Sequence, residues 1–263
     1  MSQRAPANGR RDPAREARLS AVLAGAALGR PIYAYETAGS TMELAHELAL
    51  RGKPEGTLVW ALRQEHGRGR LGRSWISPEG GAYASLVLRP RRSAVDAPQI
   101  ALVAGLSVAE AIRDAARLSP SIRWPNDLLL GGKKLSGILA ESKGGVVIVG
   151  VGMNVSTDIA ILPPEATSLA ASGAACCRLE DLLGGFCRRM SHWYAAWQRE
   201  GFAPIRTALR PWMGLFGHPV QIDVGRTRFQ GTASDLDEAG RLLVRLDSGL
   251  LRAFEAGEVT LLR

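Results

Sequence analysis

Cysteine and histidine are scarce in this chain of 263 residues. The cysteines are Cys176, Cys177 and Cys187, two adjacent and the third ten positions on. That is neither the even-numbered framework of a disulfide-stapled domain nor the paired spacing of a zinc site. Cysteines left as thiols suit a reducing compartment, so the cytoplasm is the expected location. The histidines, His46, His66, His192 and His218, are scattered without metal-ligand or triad spacing and are assigned no role. No stretch approaches the ~18 to 20 consecutive apolar residues that a membrane helix needs, which argues against a membrane partner.

Acidic residues are also short, 25 against 33 basic ones, leaving a formal charge of +8. Such an excess ordinarily raises nucleic acid as a partner. Its location weakens that reading. The first 18 residues hold Arg4, Arg10, Arg11, Arg15 and Arg18 against Asp12 and Glu16. This segment, rich in Ala, Pro and Arg, lacks an apolar stripe, so residues 1–30 are expected to form a disordered basic tail. Asp12, Glu16, Pro6 and Pro13 argue against an organelle transit peptide.

What is present is ample apolar material, 46% of the chain, enough for one large domain and a small one. Strand patterns fall at 31–37, 57–62, 82–88, 128–130, 135–141 and 146–151, with Gly131-Gly132 as a tight hairpin turn. A capping-box pattern, Ser40-Thr41-Met42-Glu43, opens a helix expected to end near Gly52. Helical spacing recurs from Ile100 to Leu118, closed by Pro120, from Leu179 to Trp197, and from Ala203 to Leu209. After Phe216 the rhythm changes to five short strands punctuated by Gly225, Gly240, Gly249 and Gly257. The expected organisation is an α/β catalytic domain of α+β type with a mixed sheet over 31–215, and a small β-barrel over 216–263.

Two segments carry chemistry. Gln64-Glu65-His66-Gly67-Arg68-Gly69-Arg70-Leu71-Gly72-Arg73-Ser74-Trp75 sets arginines, with fixed charge and forked donors for carboxylate and phosphate, among glycines that let backbone close on a ligand. Such a loop is expected to wait disordered and close on an anion. It also satisfies the dinucleotide pattern G-x-G-x-x-G, but Ser77-Pro78-Glu79-Gly80-Gly81 follows where that motif requires a helix. The second segment is Arg123-Trp124-Pro125-Asn126-Asp127, followed by Lys134 at the entrance to Leu135-Ser136-Gly137-Ile138-Leu139. A lysine entering a buried strand needs an anionic partner.

Together these segments resemble the biotin-protein ligases, or biotin-[acetyl-CoA-carboxylase] ligases. That family carries a Ser-Thr pair at its first helix (Ser40-Thr41), a glutamine followed by GRGRxGRxW (Gln64, then Gly67 to Trp75), KWPND, a lysine before LxGIL (Lys134) and a G-x-N strand end (Gly152 to Asn154). The first lysine of KWPND is Arg123 here, which keeps the charge but exchanges a point donor for a fork. Met42 stands where asparagine is common. The winged helix-turn-helix of some bacterial members is not expected, because the roughly 30 residues before the first strand are too few and too polar to form it.

The resemblance implies a biotin/lipoate ligase-like fold with an SH3-like C-terminal barrel. It implies ATP-dependent biotinylation of a lysine on a biotin carboxyl carrier domain of a biotin-dependent carboxylase, through biotinyl-5′-AMP. Lys134 and Arg70 are then the catalytic cations. Ser40, Thr41, Gln64, Arg68, Gly69, Arg70, Trp75, Lys134 and Gly137 would hold biotin. Arg68, Arg70, Arg73, Asn126, Asp127, Lys134 and Asn154 would hold ATP and the adenylate. Mg²⁺ would arrive on the ATP phosphates, near Asp127, with no protein cage. Lipoate-protein ligases are the nearest alternative; a DNA-binding regulator and an inactive carrier-binding protein are weaker ones, and no specific nucleic acid is expected.

Overall fold

The computed structural model describes residues 9–92, 97–174 and 177–262, so Arg4 and Cys176 fall outside it. Its centre is a seven-stranded sheet in the order β1-β2-β3-β7-β6-β5-β4. The strands are β1 (Ile32–Ala38), β2 (Leu58–Gln64), β3 (Gly81–Leu88), β4 (Ser121–Arg123), β5 (Asp127–Leu130), β6 (Lys133–Lys143) and β7 (Val146–Asn154). Only β1 and β2 run parallel; the other neighbours are antiparallel, so the sheet is mixed.

Alternation along the strands divides the core between the faces. Val59, Ala61, Val87 and Ile148 pack with Met42, Ala45, Leu48 and Ala49 of α2 (Thr41–Leu50). Leu58, Trp60, Leu86 and Leu88 join the larger cluster with α3 (Ala97–Ala116) and α4 (Leu179–Glu200), through Val103, Leu106, Leu183, Phe186 and Trp197. Gly131 and Gly132 turn β5 into β6 with φ of 58° and 79°, the left-handed pair that a two-residue hairpin of this hand requires.

After α5 (Ala203–Leu209), strands β8 (Pro219–Val224), β9 (Thr227–Leu236), β10 (Leu242–Leu246), β11 (Leu251–Phe254) and β12 (Glu258–Leu261) form a five-stranded antiparallel sheet ordered β11-β10-β9-β8-β12. It has the make-up of an SH3-like domain. Its inner residues, Val220, Ile222, Leu242, Val244 and Phe254, belong to the same apolar cluster as α3 and α4.

Three expectations require correction. Residues 9–30 are not a disordered tail: Pro13–Val22 form helix α1. Asp12 caps it by accepting from the Arg15 N–H at 2.9 Å, and Pro13 occupies the first turn, where its missing donor costs nothing. The stripe invisible in the first 18 residues lies just beyond them, in Leu19 and Leu23, both fully buried. Three of the tail's arginines are paired with acids, Arg11 with Glu16 and Arg15 with Asp12 locally, and Arg18 with Glu180 of α4. Ahead of α1, the Gly9 and Asp12 N–H groups donate to the Thr37 and Ala34 carbonyls along the outer edge of β1. Leu19→Ala should therefore cost about 2 to 5 kcal/mol in urea unfolding, the scale for emptying a packed leucine site, where a disordered tail would show no change.

The second correction concerns α2. Ser40 is its N-cap residue, but its side chain makes no capping bond, so the capping box does not form. The third concerns the Gly/Arg segment, which is folded. Arg68 and Ser74 form a bridge, Gly69 N–H donates to the Arg73 carbonyl at 2.7 Å, and Trp75 N–H donates to Gly67. Glycine is required at position 67, where a Cβ would stand 2.3 Å from the Trp75 carbonyl oxygen. The tip turns through Leu71 and Gly72, both with positive φ.

Candidate active site

A cavity of about 290 Å³ opens where this hairpin crosses the strands β6 and β7. Its floor is made by glycine. Gly137 and Gly152 are cross-strand partners, and the Trp75 indole lies directly on them. A Cβ at Gly137 or Gly152 would come within 2.8 or 2.6 Å of that ring, so any side chain there would displace Trp75.

Charge converges on one wall. The Lys134 ammonium, half-buried, sits 2.8 Å from one oxygen of Asp127 and 5.2 Å from the centre of the Trp75 ring. The other Asp127 oxygen takes Arg123 at 2.7 Å. Lys134 reaches this place because its own backbone is pinned to the 165–167 segment: its N–H donates to the Glu165 carbonyl and its carbonyl accepts from Thr167. Asn126 accepts from Arg70 at 2.9 Å and donates to the Ile138 carbonyl at 3.0 Å, tying hairpin to sheet. Burial lowers the Arg70 pKa from its ordinary value while the Asp127 charge pulls it back up, and a guanidinium stays charged throughout.

At the start of α2 lies a network of neutral groups. The Gln64 side-chain oxygen accepts from both the N–H and the hydroxyl of Thr41, at 2.8 and 2.9 Å. Its amide donates to Ser77, while Ser85 donates to the Thr41 oxygen. Ser40 presents a buried hydroxyl with no hydrogen-bond partner among the described residues. Facing the hairpin's other side, Glu141 holds Arg68 at 2.7 Å and also meets His46 at 3.3 Å.

Thus the structure brings Thr41, Gln64, Arg68, Gly69, Arg70, Arg73, Trp75, Asn126, Asp127, Lys134 and Gly137 to one cavity. Asn154 and Ser40 are not on its wall. Asn154 is buried at the end of β7, its amide donating to the Thr167 carbonyl and its side-chain oxygen without a partner among the described residues. Sequence reasoning missed Glu141, Glu165 and the strip Gly257–Thr260 of the C-terminal sheet, which also lines the cavity. Glu258 there pairs with Arg73 of the hairpin. A lone glutamate in a terminal strand carries no local mark of such a contact.

Among the described residues no cluster of three or more His, Cys, Asp or Glu could hold a metal ion. The acid expected near Mg²⁺, Asp127, has both oxygens committed to cations. The residues present do not fit a protein-held divalent ion.

Residues 34–158 match the Biotin/lipoate A/B protein ligase family, and residues 215–262 the Biotin protein ligase C terminal domain. The bifunctional ligase/repressor BirA of Bacillus subtilis is 35% identical over 243 residues, covering 87% of this chain and 74% of that protein. The biotin--[acetyl-CoA-carboxylase] ligase of Mycobacterium tuberculosis is 31% identical, with 96% and 97% of the two chains aligned. Among solved structures, the biotin protein ligase of Aquifex aeolicus in complex with biotin and ATP superposes with a TM-score of 0.77 at 30% identity, covering 89% of this chain and 99% of that one. With both domains matched and relatives aligned along most of their length, this chain belongs to the biotin protein ligases.

Proposed function

We propose that this protein condenses biotin with ATP and passes the biotinyl group to one lysine of a biotin carboxyl carrier domain. A biotin carboxylate oxygen attacks the α-phosphorus of ATP and the bond to pyrophosphate breaks. The carrier amine then attacks the acyl carbon of biotinyl-5′-AMP, and AMP leaves. The observation that carries this reading is the meeting of Lys134 and Arg70 at one cavity, each oriented by a neighbour from the Arg123–Asp127 segment.

Two anions must approach in the first step, so fixed positive charge at the point of attack lowers the barrier. Lys134 has three donors. Asp127 stands beside the ammonium as an ion-pair partner, leaving donors for the biotin carboxylate and the α-phosphate. Arg123 neutralises the far side of Asp127, so the net charge offered to substrate stays positive. Arg68, Gly69, Arg70 and Arg73 lie on the hairpin that would cover the mixed anhydride and keep water from it. The neutral donors and acceptors of Ser40, Thr41 and Gln64 suit the uncharged ureido ring of biotin, and Trp75 with Gly137 its apolar chain. Asn154, with a buried oxygen that has no partner among the described residues, is suited to an amino group such as the adenine edge. Mg²⁺ would come with the ATP phosphates, and Asp127 serves to orient Lys134. The match of residues 215–262 to the biotin-type C-terminal domain favours biotin over lipoate.

No helix among the described residues is long and apolar enough to cross a membrane. We assign the reaction to the cytoplasm, where the free thiols of Cys177 and Cys187 would persist. The test is to incubate the protein with ATP, a biotin carboxyl carrier domain and either biotin or lipoate. ATP-dependent biotin on the carrier, detected with streptavidin, is expected. Lipoyl transfer in its place, or no adenylate of either acid, would sink the reading.

A further inference from the structure

We infer that Trp124 is a positioning residue: its indole N–H ties the turn between β9 and β10 to the segment carrying Asn126 and Asp127, and thereby sets Lys134 and Arg70. The inference rests on the function proposed above and adds to it a specific route by which the C-terminal sheet acts on the first chemical step.

Trp124 is almost wholly buried, and its Nε1 donates to the Gly240 carbonyl at 3.0 Å, across 116 positions of sequence. A buried donor that loses its acceptor keeps the whole desolvation cost, so this bond holds the ring where the turn puts it. The turn itself is stiff. Asp237 accepts from the Ala239 and Arg241 N–H groups at 2.9 Å and from the Arg241 side chain at 2.6 Å. The Gly240 N–H closes back on the Asp237 carbonyl at 3.0 Å. Gly240 has a φ of 79°, and a Cβ there would stand 3.1 Å from Leu102 of α3. Gln99 clamps the same turn, donating to the Glu238 carbonyl at 3.1 Å while accepting from Trp197 at 2.6 Å.

Trp124 precedes Asn126 by two residues and Asp127 by three, within the tight turn that pairs Arg123 of β4 with Asp127 of β5. Asn126 accepts a hydrogen bond from Arg70, and Asp127 forms an ion pair with Lys134. Displacing the indole therefore displaces both cations relative to the reacting atoms, and misplacement by about 1 Å costs up to ~10²-fold in rate. The Thr41–Gln64–Ser77 network lies on α2, on β2 and at the hairpin's far end, and does not pass through Trp124. The seat proposed for the biotin ring is therefore spared. A second interdomain contact at the cavity, Arg73 with Glu258, joins two exposed side chains and fixes little.

The experiment replaces the N–H and keeps the shape. In the full-length enzyme, Trp124→β-(3-benzothienyl)alanine puts sulfur where the donor was. The rate of biotinyl-adenylate formation should fall about tenfold, with the KM for biotin within about twofold of wild type and the melting temperature close to it. Asp237→Ala loosens the turn from the other side and should reproduce the loss in rate without the rise in KM. A benzothienyl variant with a rate within about twofold of wild type overturns the inference, as does a loss matched by an equal rise in KM or seen only in melting temperature. Wild-type protein that forms no biotinyl adenylate overturns the functional reading and this inference together.

Discussion

Lys134→Ala is expected to slow biotinyl-adenylate formation by at least ~10²-fold, the usual scale for removing one transition-state charge contact. The fold should survive, because Asp127 keeps Arg123 on its second oxygen and is not left as a bare buried charge. Loss of the ammonium also removes the cation over the Trp75 ring. The neighbouring Lys133 is exposed at the β5–β6 hairpin, and Lys133→Ala should be mild. Biotin-dependent exchange of labelled pyrophosphate into ATP reads the first step alone. Near-normal exchange in Lys134→Ala would remove the assignment.

Arg70→Gly should change where the product goes more than whether it forms. Arg70 is the one hairpin arginine bonded to the Asn126 side chain, so its removal unfastens the hairpin from the Arg123–Asp127 segment and takes a charge from the adenylate phosphate. Arg68 stays anchored to Glu141, and Lys134 stays on Asp127, so the intermediate should still be made. Released into solution, it would acylate lysines of bystander proteins such as serum albumin. Mass spectrometry of biotinylated bystanders measures the leak, and labelling confined to the carrier lysine would exclude a retaining role for Arg70.

The strands were legible because their environment is written in their period. Leu58 and Trp60 against Val59 and Ala61 is an alternation set by two covered faces, and no distant partner is needed to read it. The glycine and arginine spacing likewise pointed to the cavity, since ligand chemistry constrains residue type locally. What could not be read depends on partners far along the chain. Helix α1 owes its existence to the seat that Leu19 finds beside α4, and to Glu180 taking Arg18 across 162 positions. Ser40 has the residue type of a cap but not the bond of one, and only its surroundings decide between them. Glu258 and Gly240 reach the site from 185 and 116 positions away from their partners, with nothing in their own neighbourhood to show it.

The segment ahead of α1 has a consequence for solubility. Strand β1 is one of the two outer strands of the large sheet, and a bare outer strand offers its unpaired amides and carbonyls as a template on which another chain can polymerise. Here Gly9 and Asp12 already occupy the Thr37 and Ala34 carbonyls, the Glu16 carboxylate takes the Ala34 amide, and the Arg11 guanidinium lies 4.6 Å from the Tyr33 ring centre. An intruding strand would have to strip away a charged strap before finding any backbone to bind. The stretch of sequence that looked most like an untethered tail is the guard on this edge of the sheet.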